Sequence, residues 1–183
     1  MTEDPPSPEQ AVSQTRAWLE GFVIGLGLCP FAQAPFLAGQ VSMPVCRASD
    51  FEALYREILS LILDFVQAGP DERLTSLVLV PRGMDEFGDY LDLLAELDAA
   101  LDQSGLRGIV QIASFHPAYR FADTPADDAA NYTNRSPVPM FHLIREDHLA
   151  AALAAYPDPE AIPERNVRRL RPLDRRTLGA WFE

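Results

Sequence analysis

Apolar positions recur along this chain with the spacing of helices in some stretches and of strands in others, and the switches between them mark out its elements. After a polar, proline-rich start at residues 1–6, expected to be disordered, Ser7, Pro8, Glu9 and Gln10 read as a capping box with proline in the first helical turn. Val12, Trp18, Leu19, Phe22, Val23 and Leu26 follow at near-helical spacing and predict one buried stripe, which Pro30 and Pro35 end. Val41, Met43 and Val45 alternate with Ser42, Pro44 and Cys46, the pattern of a half-buried strand that Pro44 confines to a sheet edge or end. A second capping box, Ser49 with Glu52, opens a helix with Phe51, Leu54, Tyr55, Ile58, Leu59, Ile62, Phe65 and Val66 on one face, closed by Gly69 and Pro70. The unbroken apolar run Leu77, Val78, Leu79, Val80 before Pro81 suits a central strand covered on both faces. Asp85 is expected to start another helix, with Phe87, Leu91, Leu94, Leu97 and Leu101 on its inner face and Gly105 past its end. Residues 109–115 and Met140–Arg145 supply two more strands, and Asp147 is expected to cap an alanine-rich helix running to Tyr156.

This alternation predicts an α/β or α+β fold, with right-handed crossovers and a mixed sheet of about four strands packed with helices. The 183 residues, 48% of them hydrophobic, suffice for one ordinary core, and no shift of composition divides them. A single globular domain is expected over residues 7–183, its Arg/Pro-rich segment 157–183 folding back as short helices.

Charge and residue usage then remove whole classes of function. A formal net charge of -12 disfavours long-range attraction to nucleic acid or to an anionic membrane. All 15 cationic residues are arginine, which excludes Schiff-base enzymes and the phosphate-binding lysine of P-loop proteins. Gly25 and Gly27 lack both the spacing and the strand-to-helix setting of a dinucleotide loop. Two cysteines, Cys29 and Cys46, form neither a disulfide framework nor a CxxC pair, and the apolar run at residues 22–28 is too short for a membrane span. A cytoplasmic protein is the expectation.

Chemistry concentrates between His116 and Glu146. A polar loop of about 20 residues without a periodic pattern separates the last two strands, and such loops commonly bind or catalyse. His116 follows a strand end, where α/β folds place catalytic groups, and His142 shares a strand face with Met140 and Ile144. Asn131, Tyr132, Asn134, Arg135 and Ser136 bring amides, hydroxyls, a ring and a guanidinium into one short run, and Arg135 suits a carboxylate or phosphate. The same residue types also bond their own backbone as turns. Arg145 with Glu146 reads either as a substrate clamp or as a solvated ion pair. Cys29, at the end of the first helix, is either a nucleophile or a small core residue; His148 reads as a surface residue.

Cys29-Pro30-Phe31-Ala32 after a glycine-bearing helix, Phe115-His116-Pro117, Asn131 through Pro137, His142 and Arg145-Glu146 together resemble the bacterial and plant family catalogued as domain of unknown function 1415. The likeness spans nearly the whole chain, and its Asn-Tyr-Thr-Asn-Arg-Ser-Pro run is specific. It implies that Cys29, His116, Asn131, Tyr132, Asn134, Arg135, Ser136, Pro137, His142, Arg145 and Glu146 form the family signature, consistent with one shared pocket.

Three functions fit these residues. The first is an enzyme acting on a small anionic metabolite by hydrolysis or group transfer, with Arg135 and Arg145 on the anion, His116 and His142 as acid and base, and Cys29 as nucleophile. The second is a metal site built from Cys29, His116, His142 and an aspartate, although no HExxH spacing is present. The third is a non-catalytic ligand-binding or interaction module. All three require these side chains to converge.

Overall fold

The computed structural model describes residues 4–182. Strands β1 (Val41–Ser42), β2 (Thr75–Leu79), β3 (Val110–Phe115) and β4 (Met140–Arg145) form one mixed sheet in the order β1-β2-β4-β3. β1 is parallel to β2, and β4 is antiparallel to both of its neighbours. β2 and β3 therefore run in the same direction with β4 inserted between them, the geometry of a strand-helix-strand unit split by a returning strand. Helices α1 (Pro8–Trp18), α2 (Gln33–Leu37), α3 (Phe51–Gln67), α4 (Phe87–Gln103), α5 (Glu146–Ala155), α6 (Ile162–Leu170) and α7 (Arg175–Gly179) complete a single-domain α+β fold. Of the stretch expected to be disordered, residues 1–3 lie outside the described residues, and Asp4, Pro5 and Pro6 have no helix or strand.

The pleat divides the sheet into two faces, each with its own core. Val78, Val110, Phe141 and Leu143 face α3 and α4, against Leu54, Ile58, Ile62, Phe65, Tyr90, Leu93, Leu97 and Leu101. Leu77, Leu79 and Met140 face the other way, against Trp18, Leu19, Phe22, Leu28, Leu170 and Leu178. The apolar run of β2 is buried from both sides for this reason. Pro44 lies at the sheet edge as expected: its carbonyl accepts from Leu79 N at 2.8 Å, and its missing N–H interrupts no ladder.

Element starts differ from the sequence reading in three places. The Ser7/Gln10 box is present, with Ser7 N donating to Gln10 Oε1 at 2.8 Å. At α3, however, the cap is Asp50, whose carboxylate accepts from Ala53 N at 2.9 Å, and not Ser49. α4 begins at Phe87 rather than Asp85, and α5 leaves β4 directly at Glu146 with no side-chain cap. The inner face of α4 is also turned by one position: Tyr90 is fully buried where Leu91 was expected, and Leu91 is 40% exposed. Tyr90 wins because its hydroxyl finds partners inside, donating to Met140 O at 2.9 Å and accepting from Phe115 N at 3.0 Å.

Asp50→Ala should therefore cost about 1 kcal/mol in a urea titration, the usual loss of an N-cap. Ser49→Ala should change stability by less than about 0.5 kcal/mol. Equal losses from both would return the cap to Ser49.

Candidate functional site

On the sheet face opposite α3 and α4, side chains of Val41, Thr75, Leu77, His142 and Ile144 form the floor of a cavity of about 380 Å³. Leu19, the turn Cys29-Pro30-Phe31-Ala32 and the start of α2 form one wall, and His148, Leu149 and Ala152 of α5 form the other. Both walls follow from local sequence. After α1 the chain continues as a π-helical stretch, Leu19–Ile24, a widened coil found often at functional sites. Gly27, at φ +61°, then reverses the chain, and Pro30 stops it from re-entering the helix, so Cys29 is presented on a tight turn. On α5, His148, Leu149 and Ala152 share a face at helical spacing.

Cys29, Thr75, His142, His148 and Arg145 are the polar residues in this largely apolar lining. Burial pushes the Cys29 thiol above its ordinary value, and the backbone amides of Phe31 and Ala32, turned toward the sulfur, oppose part of that shift. Burial holds the His142 imidazole down to about 4, so the ring is neutral at pH 7. Its Nε2 lies 2.6 Å from Thr75 Oγ1, whose own proton goes to Leu143 O at 2.8 Å. The hydroxyl therefore accepts from the ring, Nε2 carries the proton, and Nδ1 keeps its lone pair without a hydrogen bond among the described residues. His148 borders the same space, with Nδ1 2.9 Å from Asp147 Oδ1. The second cysteine, Cys46, is buried in the other core, and desolvation first, then Glu57, push its thiol up to about 12.

Arg145 also borders the cavity, with its guanidinium turned away from it; the other signature residues are elsewhere, and the expectation of one shared hollow is corrected. His116 is 1% exposed and packs on Phe87 and Tyr90, on the α4 side of the sheet. Its Nε2 donates to Met84 O at 2.8 Å and its Nδ1 accepts from Ala118 N at 3.0 Å, so one nitrogen ties the ring to the segment before α4 and the other holds the turn after β3. Gly83, at φ +82°, lets that segment pass, since a Cβ there would meet Ser49 O at 2.0 Å. Burial lowers the His116 pKa, opposed by the Met84 carbonyl and by Asp85 and Glu86.

The long loop is tied to itself rather than to a cavity. Asn131, fully buried, accepts from Phe121 N at 3.1 Å and donates to Pro125 O at 2.8 Å. Asn134 donates to Ser114 O at 3.0 Å, and Ser136 to Val138 O at 2.6 Å. Arg135 donates to Tyr119 O at 3.3 Å and Ala126 O at 3.0 Å, with its guanidinium 4.3 Å from the Tyr132 ring. Tyr132 in turn packs on Phe182. Arg145 points to the α3 face, where it donates to Phe65 O at 2.7 Å, to Arg73 O at 3.0 Å and to Ala68 O. Glu146 accepts from Gly108 N at 3.0 Å instead of pairing with Arg145. Backbone carbonyls thus occupy the two arginines expected to hold an anion.

The proposed ligand set Cys29, His116 and His142 is split by the sheet, so these three cannot hold one ion. Among the described residues no group of three or more His, Cys, Asp or Glu side chains is placed to do so. Thr75, Leu149 and Ala152 were missed in the sequence. Helical spacing from His148 could have drawn attention to Leu149 and Ala152; only strand register places Thr75 beside His142.

Among the described residues no helix is long and apolar enough to cross a membrane. No curated protein and no solved structure matches the chain. One family, described as a protein of unknown function (DUF1415), matches residues 10–179, including the Cys29 turn, the long loop and β4, and the chain belongs to it.

Proposed function

We propose that this chain is an enzyme that binds a small molecule with an apolar body and transfers a group through the Cys29 thiol. The observation that carries the reading is that a thiol and an imidazole with an uncommitted Nδ1 face one apolar cavity. Nucleophile, base and orienting group would be Cys29, His142 and Thr75, the three parts such sites require. Because both ionisable groups rest neutral, the thiol proton passes to Nδ1 as sulfur attacks an acyl carbon. The S–C bond forms, the leaving group departs with that proton, and an acceptor or water then takes the acyl group from sulfur. Two free cysteines fit a cytoplasmic site of action.

A cavity of this volume lies near the lower end for small-molecule sites, and its few polar groups among apolar walls have the composition of such sites. Binding without turnover is the second reading, favoured by the burial that keeps the Cys29 thiol protonated.

N-benzylmaleimide, a neutral electrophile with an apolar body, tests the site by intact mass and labelling rate. Cys29 should be modified with a rate that saturates in reagent, because binding precedes reaction. Ala152→Phe, which fills the cavity, should remove saturation, and His142→Gln should slow the bound reaction by about 10²-fold or more. A linear concentration dependence shared by wild type and Ala152→Phe would defeat the cavity reading. Saturation with an unaltered rate in His142→Gln would leave binding without the catalytic pair.

A further inference from the structure

Outside the cavity wall, a short aromatic stack ends on an arginine with no carboxylate partner among the described residues. Phe31 lines the cavity and meets Tyr156 edge to face, with ring centroids 5.4 Å apart at 73°. The Arg165 guanidinium carbon lies 5.5 Å from the Tyr156 ring. Tyr156 caps α5 one turn beyond Ala152, so the stack continues the helix face that lines the cavity. From the other side, Asn166 Nδ2 donates to Leu28 O at 2.7 Å, which fastens the neighbouring residue of α6 to the turn carrying Cys29. Arg165 is thereby linked to the cavity wall through Tyr156 and Phe31, and its chain neighbour Asn166 is bonded to the turn that carries Cys29.

Its neighbours are all engaged. Arg168 pairs with Glu164, Arg169 donates to the carbonyls of Leu26 and Gly27, and Arg171 pairs with Asp128 at 3.0 Å. Arg165 is half-buried and has neither a hydrogen bond nor a carboxylate among the described residues. Shortage of carboxylates does not explain this, since the chain carries 27 Asp and Glu against 15 cations. A guanidinium held over a ring can still offer N–H groups to a carboxylate or phosphate, and the contact reduces the ordering that binding would require.

We infer that the molecule taken by this cavity is an amphiphilic anion: its apolar body lies between the sheet and α5, and its carboxylate or phosphate end meets Arg165. The inference rests on the cavity reading above and adds the chemical class of the ligand. It also returns an anion-binding role to the chain, through an arginine that lies outside the family signature.

Titration calorimetry with octanoate, octyl phosphate and 1-octanol, which share one apolar body, tests it on the intact chain. The anions should bind wild type about tenfold more tightly than octanol. Arg165→Gln should erase that preference and leave octanol unchanged, and Arg165→Lys should keep part of it. The anion that loses more affinity in Arg165→Gln identifies the end group. If octanol binds, Ala152→Phe blocks it, and charge or Arg165→Gln makes no difference, the inference is overturned while the cavity reading stands. If none of the probes binds, both fall.

Discussion

Arg145→Met is expected to destabilise the fold by about 2–4 kcal/mol, the loss of hydrogen bonds from a charged donor that leaves buried carbonyls unbonded. The last carbonyls of any helix have no partner within it. For α3 the missing donor is Arg145, at the end of β4, which reaches Phe65 O and Ala68 O and also Arg73 O in the following loop. The guanidinium also covers the Phe65 ring at 4.5 Å, and its positive charge opposes the negative end of the helix dipole. Methionine fills a similar volume but leaves those carbonyls buried and unbonded. Arg145→Lys should recover only part of the loss, because one ammonium cannot reproduce the fork. Urea unfolding at pH 7 measures the difference. A loss below about 1 kcal/mol for Arg145→Met would mean that water replaces the guanidinium and that it is not the clamp described above.

The second large effect is a loss of stability in mild acid that originates at His142. Its pKa falls from 6.5 to about 4 on folding, so between these values the unfolded chain binds a proton that the folded chain does not. Stability must then rise with pH across that window: the contribution is complete above 6.5 and disappears as pH falls to about 4. A shift of this size corresponds to about 3 kcal/mol. His116 adds in the same direction, since burial lowers its pKa as well. His142→Gln keeps a donor at the Nε2 position for Thr75 and cannot titrate, so its urea midpoint should vary less between pH 6.5 and 4. Coincident acid limbs for the two proteins would show that His142 is solvated and that the cavity is wet.

Both effects arise from residues that the sequence marked for chemistry, and their placement explains why such marking is incomplete. Arg145 and Arg135 look like anion binders because a guanidinium is suited to carboxylates and phosphates, yet a carbonyl accepts from it equally well. Which acceptor is nearest depends on where the C-terminus of α3 and the long loop come to rest. His116 shows the same ambiguity. It does follow a strand end, but the turn after it uses Nδ1 and the Met84 carbonyl, ahead of α4, uses Nε2. Asn131, Asn134 and Ser136 follow the alternative that their residue types always carry, bonding nearby backbone.

Local pattern was enough for the elements themselves. The Ser7 box, the apolar face of α3, the two-sided burial of β2, β4 over Met140–Arg145 and the edge position of the Pro44 segment all follow from spacing, caps and proline chemistry. These are short-range effects, set within a few residues by sterics and hydrogen-bonding capacity. The Asp50 cap and the turn of α4 toward Tyr90 departed from that reading because adjacent candidates differ little in propensity, and a single tertiary hydrogen bond decides between them.

The sequence by itself determined which residues could react and which segments would be helix or strand. Tertiary structure alone decided who meets whom, because alternation along a strand sends neighbouring residues to opposite faces and sheet order is a long-range property. It set Cys29 and His142 on one cavity, put His116 beyond the sheet from them, supplied Thr75 as the partner that leaves Nδ1 free, and fastened Asn166, next to Arg165, to the turn that carries Cys29.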